Sequence, residues 1–293
     1  MGLTKTPGSA KYISAMLQDG QVKSSVNLNM FLSTHAVFTV DDVQQFMAEH
    51  GSTKPNTRKA LLTYHRSKGR IVPIRRGLYA SVPPGHDPGT YAVDPFLVGA
   101  RMTEDALLAY HTALEYHGKA YTPYNRTVYA SDTRSPTAQF RGHQYVRVSE
   151  PGTIKASGET MFGVESYHRD GVTVRVTNLE RTFVDVLDRP EISGTWEEIW
   201  RSLEMIEFFD LIQVVQYVEL LDNATTAAKI GFYLSQHRDA LMVDDDTFAK
   251  LKRLMPNQPH YMNRSSRQGC HLVSEWNLLV PQEILDRSWD EML

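Results

Sequence analysis

Between Thr39 and Val82 the chain reads TVDDVQQFMAEHGSTKPNTRKALLTYHRSKGRIVPIRRGLYASV, and the order of signals in this stretch constrains the fold more than any other. Thr39 is placed to cap a helix. Its hydroxyl accepts from first-turn N–H groups, and Asp41 and Asp42 sit where the helix dipole favours anions. Val43, Phe46 and Met47 recur at i, i+3 and i+4 as a buried face, and Gly51 stops the run. Ser52-Thr53 opens a further helix, with Pro55 in the first turn where a missing N–H costs nothing. Leu61 and Tyr64 are predicted to form its buried face, and Gly69 ends it. Two β-type runs, Ile71–Ile74 and Leu78–Val82, then meet at Arg75-Arg76-Gly77. With an amphipathic segment over Asn27–Phe38 in front, this is the layout of a winged helix-turn-helix.

The charge distribution separates this stretch from the rest. Residues 1–93 carry eleven Lys/Arg against five Asp/Glu, a balance of +6. The remaining 200 residues carry 20 against 29, a balance of −9, and together these make the formal −3 of the chain. A basic reader attached to an acidic body points to nucleic acid as the partner of the first part alone. A chain of 293 residues is comfortable for two domains. VPPGHDPG, Val82 to Gly89, cannot continue a helix or a central strand, so the boundary is predicted there. The expected organisation is a flexible extension over 1–22, a winged helix over 23–83, a linker over 84–93 and a larger domain over 94–293. The fold class is α+β, the second domain being mixed α/β with a helical C-terminal part.

In the second domain Thr103–His117 is predicted as a capped helix. Strands are predicted over Arg126–Ala130, Gln144–Val148, Gly163–Tyr167 and Val172–Val176, the last two joined by an Asp170-Gly171 turn. Helices follow over 178–187, 195–208, 211–221, 224–237 and 246–254. Leu272–Val280, with Trp276, is a late strand or buried segment. Trp196, Trp200 and Phe208, placed on one long helix, are assigned to core or interface rather than to a ligand box. No run approaches the roughly 18 apolar residues of a membrane span, and the N-terminus has no secretory apolar segment. Gly2 alone is weak support for a lipid anchor. Cys270 is the single cysteine, which excludes an intramolecular disulfide and a cysteine zinc cluster and fits a buried thiol in a reducing cytoplasm.

The candidate DNA contacts are Thr53, Lys54, Asn56, Arg58, Lys59, Thr63 and Arg66 on the helix, and Arg75 and Arg76 on the hairpin. A helix fits the major groove, where Asn and Arg match adenine and guanine edges. Thr53 and Lys54 suit phosphates, and arginines on a Gly-tipped hairpin reach backbone or minor groove. Arg181 and Asp185 are i, i+4 neighbours on a helix and read first as a structural ion pair. A metal-dependent nuclease would need acids such as Glu165, Glu180 and Asp185 to converge, although no spacing demands it. The histidines show no metal spacing, and there is no phosphate loop, nucleophile elbow or dinucleotide fingerprint. No catalytic residue, metal or cofactor is predicted.

Several stretches resemble the AbiEi antitoxins of bacterial type IV toxin–antitoxin systems. They are Lys68–Ala80 (KGRIVPIRRGLYA), Asp94–Ala100 (DPFLVGA), Ala109–Glu115 (AYHTALE) and Val176–Asp185 (VTNLERTFVD), with Glu180, Arg181 and Asp185 in the last. The resemblance implies a repressor of its own operon that binds inverted repeats in its promoter and pairs on that DNA. It also implies a C-terminal domain that neutralises a nucleotidyltransferase-like toxin without needing a stable complex. The alternatives are a nuclease targeted by a winged helix, a plain regulator without a toxin, and a protein-docking adaptor.

Overall fold

The computed structural model describes residues 21–51, 54–263, 268–287 and 289. Residues 1–22 fall almost wholly outside that set, as does Thr53. The chain divides into two compact units, one of residues 1–101 with 168–173 and one of residues 102–167 with 174–293.

The first unit runs α1 (Gln21–Thr34), β1 (Val37–Thr39), α2 (Val40–Glu49), α3 (Pro55–Ser67), β2 (Ile71–Arg75), β3 (Leu78–Ser81) and α4 (Pro95–Ala100). Its three strands form one antiparallel sheet in the order β1-β3-β2. The predicted helix over Asn27–Phe38 is therefore shorter at its end: Val37 and Phe38 leave it to pair with Ala80 and Tyr79. β-branched and aromatic residues fit a pleated ladder better than a helix end. At the start of α2 the capping box is complete. Thr39 Oγ1 accepts from Asp42 N–H at 3.2 Å, and Asp42 Oδ2 accepts from Thr39 N–H at 2.6 Å. Arg101 also binds Asp42. Burial pulls that carboxyl upward, but Arg101 and the Thr39 N–H outweigh it and hold it below the usual carboxylate range. Leu28, Phe31, Leu32, Phe38, Val43, Met47, Leu62 and Ile71 form the apolar centre.

Residues 84–93 are not a linker between the units. They belong to the first unit, whose boundary falls after Arg101. Asp87 folds the segment on itself, accepting from Gly89 N–H at 2.9 Å, while its carbonyl accepts from Tyr91 N–H. Prolines bar regular structure but do not bar packing.

The second unit centres on a six-stranded mixed sheet in the order β6-β7-β5-β4-β9-β8. Its strands are β4 (Leu107–Leu108), β5 (Arg126–Ala130), β6 (Ala138–Phe140), β7 (His143–Val148), β8 (Val164–Arg169) and β9 (Val172–Thr177), with residues 168–173 grouped in the first unit. Two short helices, α5 (His111–Tyr116) and α6 (Gly152–Ser157), interrupt it. Helices α7 (Leu179–Asp188), α8 (Trp196–Glu204), α9 (Leu211–Leu221), α10 (Ala224–Gln236) and α11 (Asp245–Leu254) follow. Strands β10 (His260–Tyr261), β11 (Cys270–Val273) and β12 (Leu278–Pro281), and a short α12 (Gln282–Leu285), complete the unit. The expected helix over Thr103–His117 is absent as such. Leu107 and Leu108 form a strand between β5 and β9, and only His111–Tyr116 is helical. Tyr110, at φ +59°, breaks the run. Thr103, the expected cap, donates instead from Oγ1 to Ser131 Oγ at 2.9 Å. Asp105 accepts from Ser131 Oγ at 2.7 Å and from the N–H groups of Asp132 and Thr133.

Phe208 lies beyond the end of α8 at 63% exposure, whereas Trp196 and Trp200 are buried as expected. Cys270 is partly exposed rather than buried. Trp276 sits in a 3-10 turn between β11 and β12, fully buried and bonded through Nε1 to Ser235 Oγ at 2.9 Å. Among the described residues no helix is long and apolar enough to cross a membrane.

Candidate nucleic-acid interface

Helix α3 buries one face and offers the other. Leu62 and His65 point inward, with Arg58 and Leu61 half-buried beside them. This corrects the predicted face, because Tyr64 is 52% exposed. The hydrophobic stripe is offset by one residue and admits a histidine, a choice the apolar pattern could not register. Asn56, Lys59, Thr63 and Arg66 all remain exposed. Their spacing of three, four and three residues puts them on one face. Lys54 is exposed just before the helix, in the N-cap position, with no side-chain cap bond.

That face borders an open groove of about 420 Å³ lined by Pro55, Asn56, Arg58, Lys59, Leu62, Thr63, Arg66, Val40 and Tyr79. Among the described residues the side chains of Asn56, Lys59, Thr63 and Arg66 have no hydrogen-bonding or ionic partner. Arg58 alone is held, donating from Nη1 to Gln44 Oε1 on α2 at 3.1 Å. Beyond α3, Arg75 pairs in register with Leu78 and leaves Arg76-Gly77 as the hairpin tip, with Gly77 at φ +82°. Arg76 is exposed, while Arg75 is half-buried. From His50 to His86 the chain carries eight Lys/Arg and no Asp or Glu, so the stretch that holds α3 and the hairpin is uniformly basic.

The second unit's conspicuous charges are internal. Arg181 is 1% exposed. It donates to Glu150 at 2.7 Å, to the carbonyls of Thr160 and Phe162 at 2.8 and 2.9 Å, and to Asp185 at 3.4 Å. Tyr217 Oη donates to Asp185 Oδ1 at 2.8 Å and its ring lies under the guanidinium. Burial pushes the Asp185 carboxyl up to about 7, against the opposing pull of Arg181 and the Tyr217 hydroxyl. Glu180 is elsewhere, accepting from Asp210 N–H at 3.1 Å, and Glu165 accepts from the exposed Tyr167 hydroxyl. The three acids a nuclease would need are thus separately engaged. Among the described residues no group of three or more His, Cys, Asp or Glu is arranged to hold a metal ion. His111 is fixed between Glu198 at 3.0 Å and Glu115 at 3.3 Å, with Tyr124 stacked on its ring.

No family model matches the chain, and no curated protein matches it. Among solved structures the chain is similar to the RV2827C protein from Mycobacterium tuberculosis, with a TM-score of 0.54 at 16% identity. The match covers 92% of this chain and 95% of that one. At that identity the likeness shows a shared fold and nothing of function.

Proposed function

We propose that the first unit is a winged helix-turn-helix that binds double-stranded DNA, with α3 in the major groove and the Arg76-Gly77 tip beside it. The observation that carries this is the polar stripe of Asn56, Lys59, Thr63 and Arg66, without partners among the described residues and set in a stretch of sequence, His50 to His86, that holds no acid. A solvated protein-docking face has no need to exclude carboxylates, whereas a phosphate-facing surface does. The resemblance of the Lys68–Ala80 and Val176–Asp185 stretches to AbiEi antitoxins extends the reading. The chain represses its own operon through inverted repeats, and the second unit counters a nucleotidyltransferase-like toxin.

The test is binding of the full chain to the DNA immediately upstream of its own reading frame, titrated over a salt series. Affinity is expected to fall steeply as salt rises. Lys59→Ala and Arg66→Ala should each weaken binding and flatten the salt dependence, by roughly one unit of log–log slope where a phosphate contact is lost. Wild-type affinity in both variants would remove this face from the interface. For the second half of the reading, co-expression with the neighbouring reading frame should relieve growth arrest caused by that frame alone.

A further inference from the structure

We infer that Arg58 and Gln44 work as a pair that reads a guanine in the major groove, Arg58 making the contact and Gln44 orienting it. The inference rests on the DNA-binding reading above and goes beyond it by naming a base, a residue edge and a positioning residue on the preceding helix.

Arg58 differs from the other polar residues that α3 brings to the groove. It sits on the border of the buried face, one and two turns before Leu62 and His65 respectively, and it is half-buried. It still lines the groove together with Asn56, Lys59 and Thr63. Its Nη1 donates to Gln44 Oε1 at 3.1 Å. A guanidinium can only donate, so the Gln44 atom facing it is the amide oxygen, and the Gln44 NH2 group is turned the other way. Gln44 lies one helical turn after Val40, which also lines the groove, so the pair spans the joint between α2 and α3 on the groove side.

Three consequences follow. With Nη1 engaged, the Nε–Nη2 edge of Arg58 is left with no partner among the described residues. That edge has the two-donor geometry that matches O6 and N7 of guanine. The rotamer freedom of a long side chain has also been given up before DNA arrives, so less is lost on contact. Finally, the holding group is neutral. A carboxylate at position 44 would orient the guanidinium too, but it would cancel the charge that draws it to DNA. Gln44 orients without neutralising, which is what a reading residue needs and what a purely structural ion pair does not supply.

The experiment is selection of the full chain against a random duplex library, repeated with Arg58→Lys, Gln44→Ala and Gln44→Glu. Amide hydrogen exchange in α2 and α3 checks that each variant is folded. The wild type is expected to enrich a motif with a fixed guanine, and replacing that base by adenine or 7-deazaguanine should weaken binding about tenfold or more. Arg58→Lys keeps the charge and the salt dependence but replaces the planar two-donor fork by a single ammonium, so it should narrow the guanine preference at that position. Gln44→Ala should relax the same position and leave the others intact. Gln44→Glu should retain the guanine preference while weakening binding to every sequence, because it keeps the acceptor and adds a negative charge. Unchanged guanine preference in Arg58→Lys, or a uniform loss across all sequences, would overturn the inference, the second result marking Arg58 as a phosphate contact. Unchanged preference in Gln44→Ala would remove Gln44 from the pair. A wild type that enriches no motif would instead overturn the DNA-binding reading itself, and the pair with it.

Discussion

His65 occupies the second half of α3 with both ring nitrogens buried and without a hydrogen-bond partner among the described residues, at 2% exposure. Burial, and then the charge of Arg70, hold its pKa below the ordinary histidine value. The neutral ring is therefore favoured in the folded state. The stability it preserves is present above the unfolded value of 6.5 and is lost as pH falls below it. The first unit should open more readily at pH 5 than at pH 7, read as faster amide exchange in α3 at matched intrinsic rates. His65→Leu keeps the volume and removes the orphaned nitrogens, so it should abolish that difference and stabilise the unit by about 1 kcal/mol or more. A variant with the wild-type pH response would assign the effect to another group. In the second unit, Arg181 is the residue on which most depends. Arg181→Met leaves the Asp185 and Glu150 carboxylates without their buried cation, an expected loss of about 3–5 kcal/mol. Arg181→Lys should recover little of this, because a point charge cannot reach two carbonyls and two carboxylates at once. All four tryptophans lie in the second unit, so indole emission during urea unfolding reports this loss without interference from the first. An unchanged midpoint together with loss of the relief of growth arrest expected under the proposed function would mean that the Glu180-Arg181-Asp185 motif is functional rather than structural.

At the scale of elements, α10 and the turn carrying Trp276 show a dependence that no propensity conveys. A Cβ on Gly231 would lie 2.2 Å from the Trp276 ring, and the same indole donates to Ser235 one turn on. Gly231→Ala raises helix propensity by up to about 1 kcal/mol yet should destabilise the second unit overall by about 1–3 kcal/mol, because the indole has nowhere to move. The Trp emission midpoint in urea checks the sign. The strands β5, β7, β8 and β9 and the helices α7, α9, α10 and α11 were legible because alternation, Asp-Gly and capping side chains act over a few residues. Asn178, Asp210, Asn223 and Asp244 each cap their helix through the side chain. β4 was not legible. Leu107 and Leu108 form a strand only because β5 and β9 flank them, and neither partner is close in sequence. The buried face of α3 was misplaced by one residue for a related reason: its neighbours α2 and β2 decide which side is covered.

Across the whole molecule, the proposed DNA-binding role gives one α3 contact with few base edges, so that proposal calls for two copies of the chain on a repeat. Native mass spectrometry on a duplex carrying one inverted repeat should find two chains per duplex, and a half-site should bind one chain far more weakly. A single chain on the intact repeat would reject pairing on DNA. What can be read along the chain is local: the three helices before the β2-β3 hairpin of the first unit, the cap at Thr39, the Arg76-Gly77 tip, and a basic stretch ahead of an acidic body. These follow from interactions within a few residues and from charge, both of which a linear pattern records. Tertiary structure alone decided that residues 84–93 and 168–173 belong to the first unit, and that Arg181 is an interior clamp. It also decided that Arg58 is held by Gln44 while Asn56, Lys59, Thr63 and Arg66 have no side-chain partner among the described residues. Each of these depends on which distant groups share a volume from which water has been expelled, and no spacing along the chain encodes that.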